Sequence, residues 1–295
     1  MPKQCGRAIL LAIALLGALA LPGWAQEFEP RTYVVAPPGL NFVGVAYGFA
    51  NGAVFMDPSL PAKDVDADIH LVVMRYVRTL ELIGLPTKLK VVLPLSDGHW
   101  KGFVEDEFRI RDATGLGDAR LILETQFAGT KDPDRTVWGA RVQFILPTGE
   151  YDSSKFINLG ANRWGAIPEV GFSYPAGKWD LEGALAAWIF GDNDDFLGVP
   201  LEQDPLLVAK FHAVRSIRPG FWWALAAGYG YGGQTTVDGV ARNTTQSNWR
   251  LAFMMAYPIR ANQGIVLSVG SGGNFGAGTD FDTIRVGYQF LWGAH

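Results

Sequence analysis

The sequence predicts an all-β fold, an up-and-down antiparallel transmembrane β-barrel of twelve strands. Three observations carry that expectation. An export signal opens the chain, period-two alternation fills the rest, and the connections between alternating segments are short and long by turns. Composition sets the frame: 295 residues, 48% hydrophobic and 13% aromatic but only 18% charged, with 36 glycines and 10 tryptophans. Disorder needs few aromatics and a high net charge, and nucleic-acid binding needs a basic surface. A net charge of -4 on so aromatic a chain excludes both, and a coiled coil with them.

The first element is a leader. Lys3 and Arg7 precede an unbroken apolar run over 8–21, and Pro22 ends it. Gly23-Trp24-Ala25 then sets small residues at the two positions a signal peptidase reads. The run is too short for a comfortable membrane span and the right length for a signal core. The expectation is a cleaved signal peptide at 1–25, a short periplasmic segment at 26–40 and the barrel at 41–292. Without Lys3 and Arg7 the 25 basic residues fall to 23 against 29 acidic ones. The single cysteine, Cys5, leaves too, so disulfides, thiolate nucleophiles and cysteine metal sites are excluded from the mature chain.

The strands follow in order. Segments 41–50 and 66–83 are separated by a long polar stretch, 51–65; Gly84-Leu85 before Pro86 then turns tightly into 86–95. A second long stretch, 96–116, leads to 117–128, and the brief 129–134 stretch leads to 136–147. After 148–163 come 164–175, the turn Pro175-Ala176-Gly177, and 178–190. After 191–205 come 206–218, Pro219, and 220–232; after 233–246 come 247–258, the turn 259–261, and 262–271. The last loop, 272–280, leads to 281–292. Alternation is clearest where Trp249, Leu251, Phe253, Met255 and Tyr257 interleave with Arg250 and Ala252, and where Ile284, Val286, Tyr288, Phe290 and Trp292 interleave with Arg285 and Gln289. Phe221 to Tyr231 alternates large residues with Ala and Gly.

Strict alternation of short turns and long loops, with both termini on one side, is what a membrane-spanning sheet requires. A strand of about ten residues rising roughly 3.3 Å each and tilted about 45° spans roughly 23 Å. Only a closed barrel leaves no unpaired edge in lipid. Tyr288, Phe290 and Trp292 on one face of the last strand also resemble the C-terminal aromatic signal read by the outer-membrane barrel assembly machinery. The partners expected are therefore that machinery, outer-membrane lipid and lipopolysaccharide, and small-molecule cargo, with no nucleic acid, and the expected location is the bacterial outer membrane.

Several stretches carry a family resemblance. They are Pro37-Pro38-Gly39-Leu40-Asn41, Gly115-Leu116-Gly117-Asp118-Ala119-Arg120, Pro147-Thr148-Gly149-Glu150-Tyr151-Asp152 and Asn158-Leu159-Gly160-Ala161-Asn162-Arg163-Trp164. Asp192-Asn193, Gln203-Asp204-Pro205, Gly232-Gly233 and Asp238-Gly239 continue it. Together they resemble the meta-pathway phenol-degradation family of outer-membrane proteins. The resemblance implies a transporter-like barrel for aromatic or other hydrophobic compounds, with Pro147, Gly149, Tyr151, Asn158, Gly160, Asn162 and Arg163 as its loop signature.

Other motifs fail their chemistry. Gly228 to Gly233 spells G-x-G-x-x-G, but an alternating strand precedes it and no helix follows to hold a pyrophosphate. Asp192-Asn193-Asp194-Asp195 is not an EF-hand loop, because Phe196 and Leu197 stand at its fifth and sixth positions. Asn243-Thr244-Thr245 is a sequon without meaning in a bacterium. Four histidines, His70, His99, His212 and His295, and no G-x-S-x-G leave no hydrolytic triad in view. No enzyme activity, metal or cofactor is expected.

Lumen residues follow from the strand phase. With the aromatic and branched face in lipid, Arg120, Glu124, Gln126, Arg141, Gln143, Glu169, Ser173, Glu182, Lys210, His212, Arg250, Arg285 and Gln289 face inward. Among them five Lys/Arg oppose three acids, which points to a basic, anion-preferring lumen, unless Glu124 and Arg141 on neighbouring strands cancel locally. Three readings stay open: an uptake channel for hydrophobic or aromatic molecules, a small-solute porin of anionic preference, and a non-conducting structural or adhesion barrel.

Overall fold

A computed structural model describes residues 28–55, 62–104, 106–132, 134–155, 157–274 and 278–293. The expected signal peptide at 1–25 lies outside them. The strands are β1 (Leu40–Phe55), β2 (Ala62–Leu82), β3 (Leu85–Val104), β4 (Glu107–Leu116), β5 (Arg120–Ala128), β6 (Val137–Ile145), β7 (Gly165–Ala176) and β8 (Trp179–Phe190). They continue as β9 (Asn193–Phe196), β10 (Val199–Gln203), β11 (Leu206–Arg218), β12 (Phe221–Gly232), β13 (Thr235–Val237), β14 (Val240–Ala241), β15 (Gln246–Arg260), β16 (Gln263–Asn274) and β17 (Gly278–Gly293).

Each wall strand pairs antiparallel with its neighbours, and β1 closes the ring by pairing with both β2 and β17. β4 and β5 both pair with β3, along its far and near halves, and so form one interrupted wall strand. The result is a closed twelve-stranded barrel. Its turns at the terminal end are tight. Ile83 and Gly84 both take positive φ (54° and 74°), the mirror-image turn that matches strand twist in a two-residue hairpin. Outward positions such as Val45, Val91, Leu93, Leu123, Leu225, Phe253 and Val286 are exposed and apolar, and the polar side chains turn inward.

Two stretches expected as loops are strand. Residues 51–65 and 96–116 mostly prolong β1, β2, β3 and β4 into one tall wall segment. The period of two continues there with its polarity reversed. On β3 the outward row runs Leu89, Val91, Leu93, Leu95 and then Asp97, His99, Lys101, while the inward row runs Lys88, Lys90 and then Val92, Pro94, Ser96, Trp100. A strand leaving lipid for water needs that exchange, because its outer face becomes wet and its inner face must pack. The inner face packs: Ala67, Ile69 and Trp100 form a core with Ile157 and Leu159 of the 147–164 loop. The expected loops 191–205 and 233–246 also carry structure, a four-stranded sheet of β9, β10, β13 and β14 around buried Phe196, Leu201 and Val237.

Candidate functional site: the barrel interior

The interior is built in two tiers. The lower tier, towards the termini, is an ion-pair network that the N-terminal segment completes. Glu124 of β5 is fully buried (0% exposed) and accepts from Lys88 Nζ at 2.7 Å and Gln126 Nε2 at 3.2 Å, with Lys90 Nζ 2.8 Å from its other oxygen. Arg141 of β6 bonds Glu169 of β7 at 2.9 Å, and Lys210 of β11 bonds the same carboxylate. Glu182 of β8 lies 3.3 Å from His212 Nδ1. Unpaired charges in such a place would each cost several kcal/mol, which is why every acid here has a cationic or N–H donor.

Residues 28–39 run into this tier rather than away from it. Glu29 accepts from Lys90 at 2.8 Å, Arg75 at 3.0 Å and Arg141 at 3.0 Å. Burial works to raise its pKa, but the charges of Lys90, Arg75 and Arg141 overcome that and hold the carboxyl well below the usual carboxylate range. The Arg31 backbone N–H donates to both Glu182 oxygens, at 3.0 and 2.8 Å, and Lys88 Nζ donates to the Thr32 carbonyl at 2.6 Å. Tyr33 is 2% exposed and its hydroxyl donates to Glu169 at 2.7 Å. Its ring lies against Gly139 and Gly171, which face each other across β6 and β7; a Cβ there would stand 2.5 and 2.4 Å from ring carbons.

The upper tier is a cavity of about 150 Å³, lined by apolar side chains of β2, β3, β6 and β8, including Val73, Val92, Ile145, Trp188 and Phe190. The 147–164 loop forms its far side. That loop is fastened at the break between β4 and β5, where Asp118 accepts from the Gly149 N–H at 2.9 Å and the Ala161 N–H at 2.8 Å, and Thr148 Oγ1 accepts from Ala119 N–H at 2.9 Å. Gly149 and Gly160 touch backbone to backbone, leaving no room for a Cβ on either.

The signature residues divide accordingly. Pro147 opens the loop. Asn158 ties it internally through the Asp152 N–H and the Asp152 and Lys155 carbonyls, at 2.9 to 3.1 Å. Tyr151 donates to the Asp195 carbonyl at 2.9 Å and Asn162, at φ 52°, donates to Asn193 at 3.0 Å, joining the loop to β9. Arg163 lines the cavity, lies 4.8 Å from the Phe190 ring centre and donates to Gln203 Oε1. Arg120 also lines the cavity. Arg250 and Arg285 sit on the opposite wall, on either side of β16, beside Gly272 and Gly48, whose missing side chains leave room for them.

Two readings of the lumen need correction. Glu124 and Arg141 are opposite in register, yet Arg141 bonds Glu29 and Glu169, while Glu124 bonds Lys88 and Lys90. The count of five cations against three acids also omitted Arg75, Lys88 and Lys90 on one side and Glu29 on the other. The two lysines were legible, since they alternate with Leu89 and Val91. The N-terminal contribution had no periodic signal. Among the described residues no group of His, Cys, Asp and Glu side chains is arranged to hold a metal ion.

Comparison with known proteins gives a consistent picture. The family described as "Putative MetA-pathway of phenol degradation" matches over residues 48–290. Among solved structures, an outer membrane channel from Pseudomonas putida F1 is similar with a TM-score of 0.79 at 21% identity, over 90% of this chain and 100% of that one. The transport unit of the autotransporter AIDA-I from Escherichia coli gives 0.56 at 8% identity, over 96% and 98% of the two chains. The translocator domain of the autotransporter NalP from Neisseria meningitidis gives 0.51 at 10% identity, over 98% and 95%. At these identities the likeness is one of fold. No curated protein matches.

Proposed function

Since the chain belongs to the phenol-degradation family described as the putative MetA-pathway, we propose that it is an outer-membrane channel for uptake of small, largely apolar molecules, aromatic compounds among them. The observation that carries this reading is the cavity of about 150 Å³ behind the 147–164 loop. An apolar space of roughly 150 Å³ is enough for a single benzene ring. The apolar outer band and the family's association with phenol degradation support the same reading. Cargo reaches the cavity from the loop end, and the ion-pair tier with residues 28–39 forms the gate between the cavity and the terminal end. On this reading residues 1–25 direct export and are removed, the assembly machinery inserts the barrel, and lipid and lipopolysaccharide surround it.

The test is binding and transfer of toluene by purified protein in liposomes, followed by quenching of tryptophan fluorescence, with Trp164 and Trp188 on the cavity wall as reporters. Saturable quenching and protein-dependent transfer are expected. Rapid passage of sugars or chloride without toluene binding would favour the basic porin instead, and neither activity would favour a structural barrel.

A further inference from the structure

The cavity wall is apolar except for a few polar side chains, and nearly all of those are committed to each other. Asp118 accepts two loop amides, Asn158 closes its own loop, and Tyr151, Asn162 and Asn193 bond among themselves and to backbone. Gln203 accepts from Arg163 and donates to the Gly233 carbonyl at 2.9 Å. Arg163 differs. Its Nη1 is buried and has no hydrogen-bond partner among the described residues. Its other contacts are the Phe190 ring face and Gln203, both neutral, while Asp192 and Asp118 attract it through space.

A buried guanidinium N–H without an acceptor is costly. We infer that the cavity takes a single-ring aromatic compound bearing an anionic oxygen, with its ring against Trp188 and Phe190 and its oxygen accepting from the Arg163 guanidinium. An aromatic carboxylate such as benzoate fits this description; a bare hydrocarbon satisfies only the apolar part. Burial lowers the Arg163 pKa to about 10, so the side chain keeps its charge at neutral pH. The inference rests on the cavity being the cargo site.

The experiment compares benzoate with toluene by tryptophan quenching of the full barrel in detergent and in liposomes. Benzoate is expected to bind at least about tenfold more tightly than toluene, the size of one charge-assisted hydrogen bond. Arg163→Met should abolish that preference. Gln203→Glu, which gives Arg163 an internal carboxylate, should weaken benzoate in the same direction and serves if Arg163→Met does not fold. Toluene binding without any benzoate preference, or a preference unchanged in both variants, overturns the aromatic-anion inference and leaves the channel reading standing. Binding of neither compound overturns both.

Discussion

At the scale of single residues, the decisive property is which side of the wall a side chain takes. Phe253 and Arg250 are three positions apart on β15 and face opposite solvents: Phe253 is exposed on the outer band, and Arg250 lies inside beside Gly272. Phe253→Arg should cost about 2–4 kcal/mol near mid-bilayer, because the cation is forced against hydrocarbon. Arg250→Leu should cost less. Denaturant unfolding in lipid vesicles measures both, and equal costs would mean the assigned faces are wrong. Glu29 makes a second residue-scale prediction. Glu29→Gln removes the anion shared by Lys90, Arg75 and Arg141 and should weaken docking of residues 28–39 by about 1.5–3 kcal/mol. The sign of its pH dependence follows from a lowered folded pKa. The stabilisation is complete above the ordinary carboxylate range and is lost as pH falls through the lowered value. Ion conductance should therefore stay flat from about pH 8 to about pH 5 and rise only in stronger acid.

At the scale of elements, two segments outside the wall decide what the interior is. Residues 28–39 are held by a tyrosine in a slot that two paired glycines open. Tyr33→Ala should release the segment while the barrel remains closed, since no wall strand loses a backbone partner. Protease should then cut near the N-terminus of a barrel that still migrates as folded; protection equal to the unmodified protein would count against the segment as a gate. The 147–164 loop depends on Asp118, which accepts amides from both of its ends. Asp118→Asn leaves one acceptor oxygen for two N–H groups, so the fastening should weaken by about 1–3 kcal/mol. Faster hydrogen exchange at Gly149 and Ala161, with the β5–β6 amides unchanged, is the expected signature. Neither attachment was visible as a pattern. Asp118 and Gly149 stood in separate motifs of the resemblance, and only the break between β4 and β5 turns one towards the other.

At the scale of the whole molecule, closure through β1 and β17 gives every wall strand two neighbours. Such a barrel has no edge from which unfolding can spread, and the purified protein should run faster unheated than boiled on a detergent gel, with a β-sheet circular dichroism spectrum. A single band position before and after boiling would contradict closure.

The twelve-stranded wall and the faces of its strands are written in the order of residues along the chain. Lipid on one side and a wet or packed interior on the other impose a period of two, and that period is local enough to read directly. It misplaced the ends of β1 to β4 because polarity reverses at the membrane surface, so an outward row of Asp97, His99 and Lys101 looks like loop. Which charges meet was settled only by the folded ring. Glu169 finds Lys210 across β8 and Tyr33 from 136 positions away, and Arg163 comes to rest on Phe190 without an acceptor for its second nitrogen. Those partners lie on different parts of a closed wall, and their meeting depends on register and closure, which no stretch of sequence contains alone.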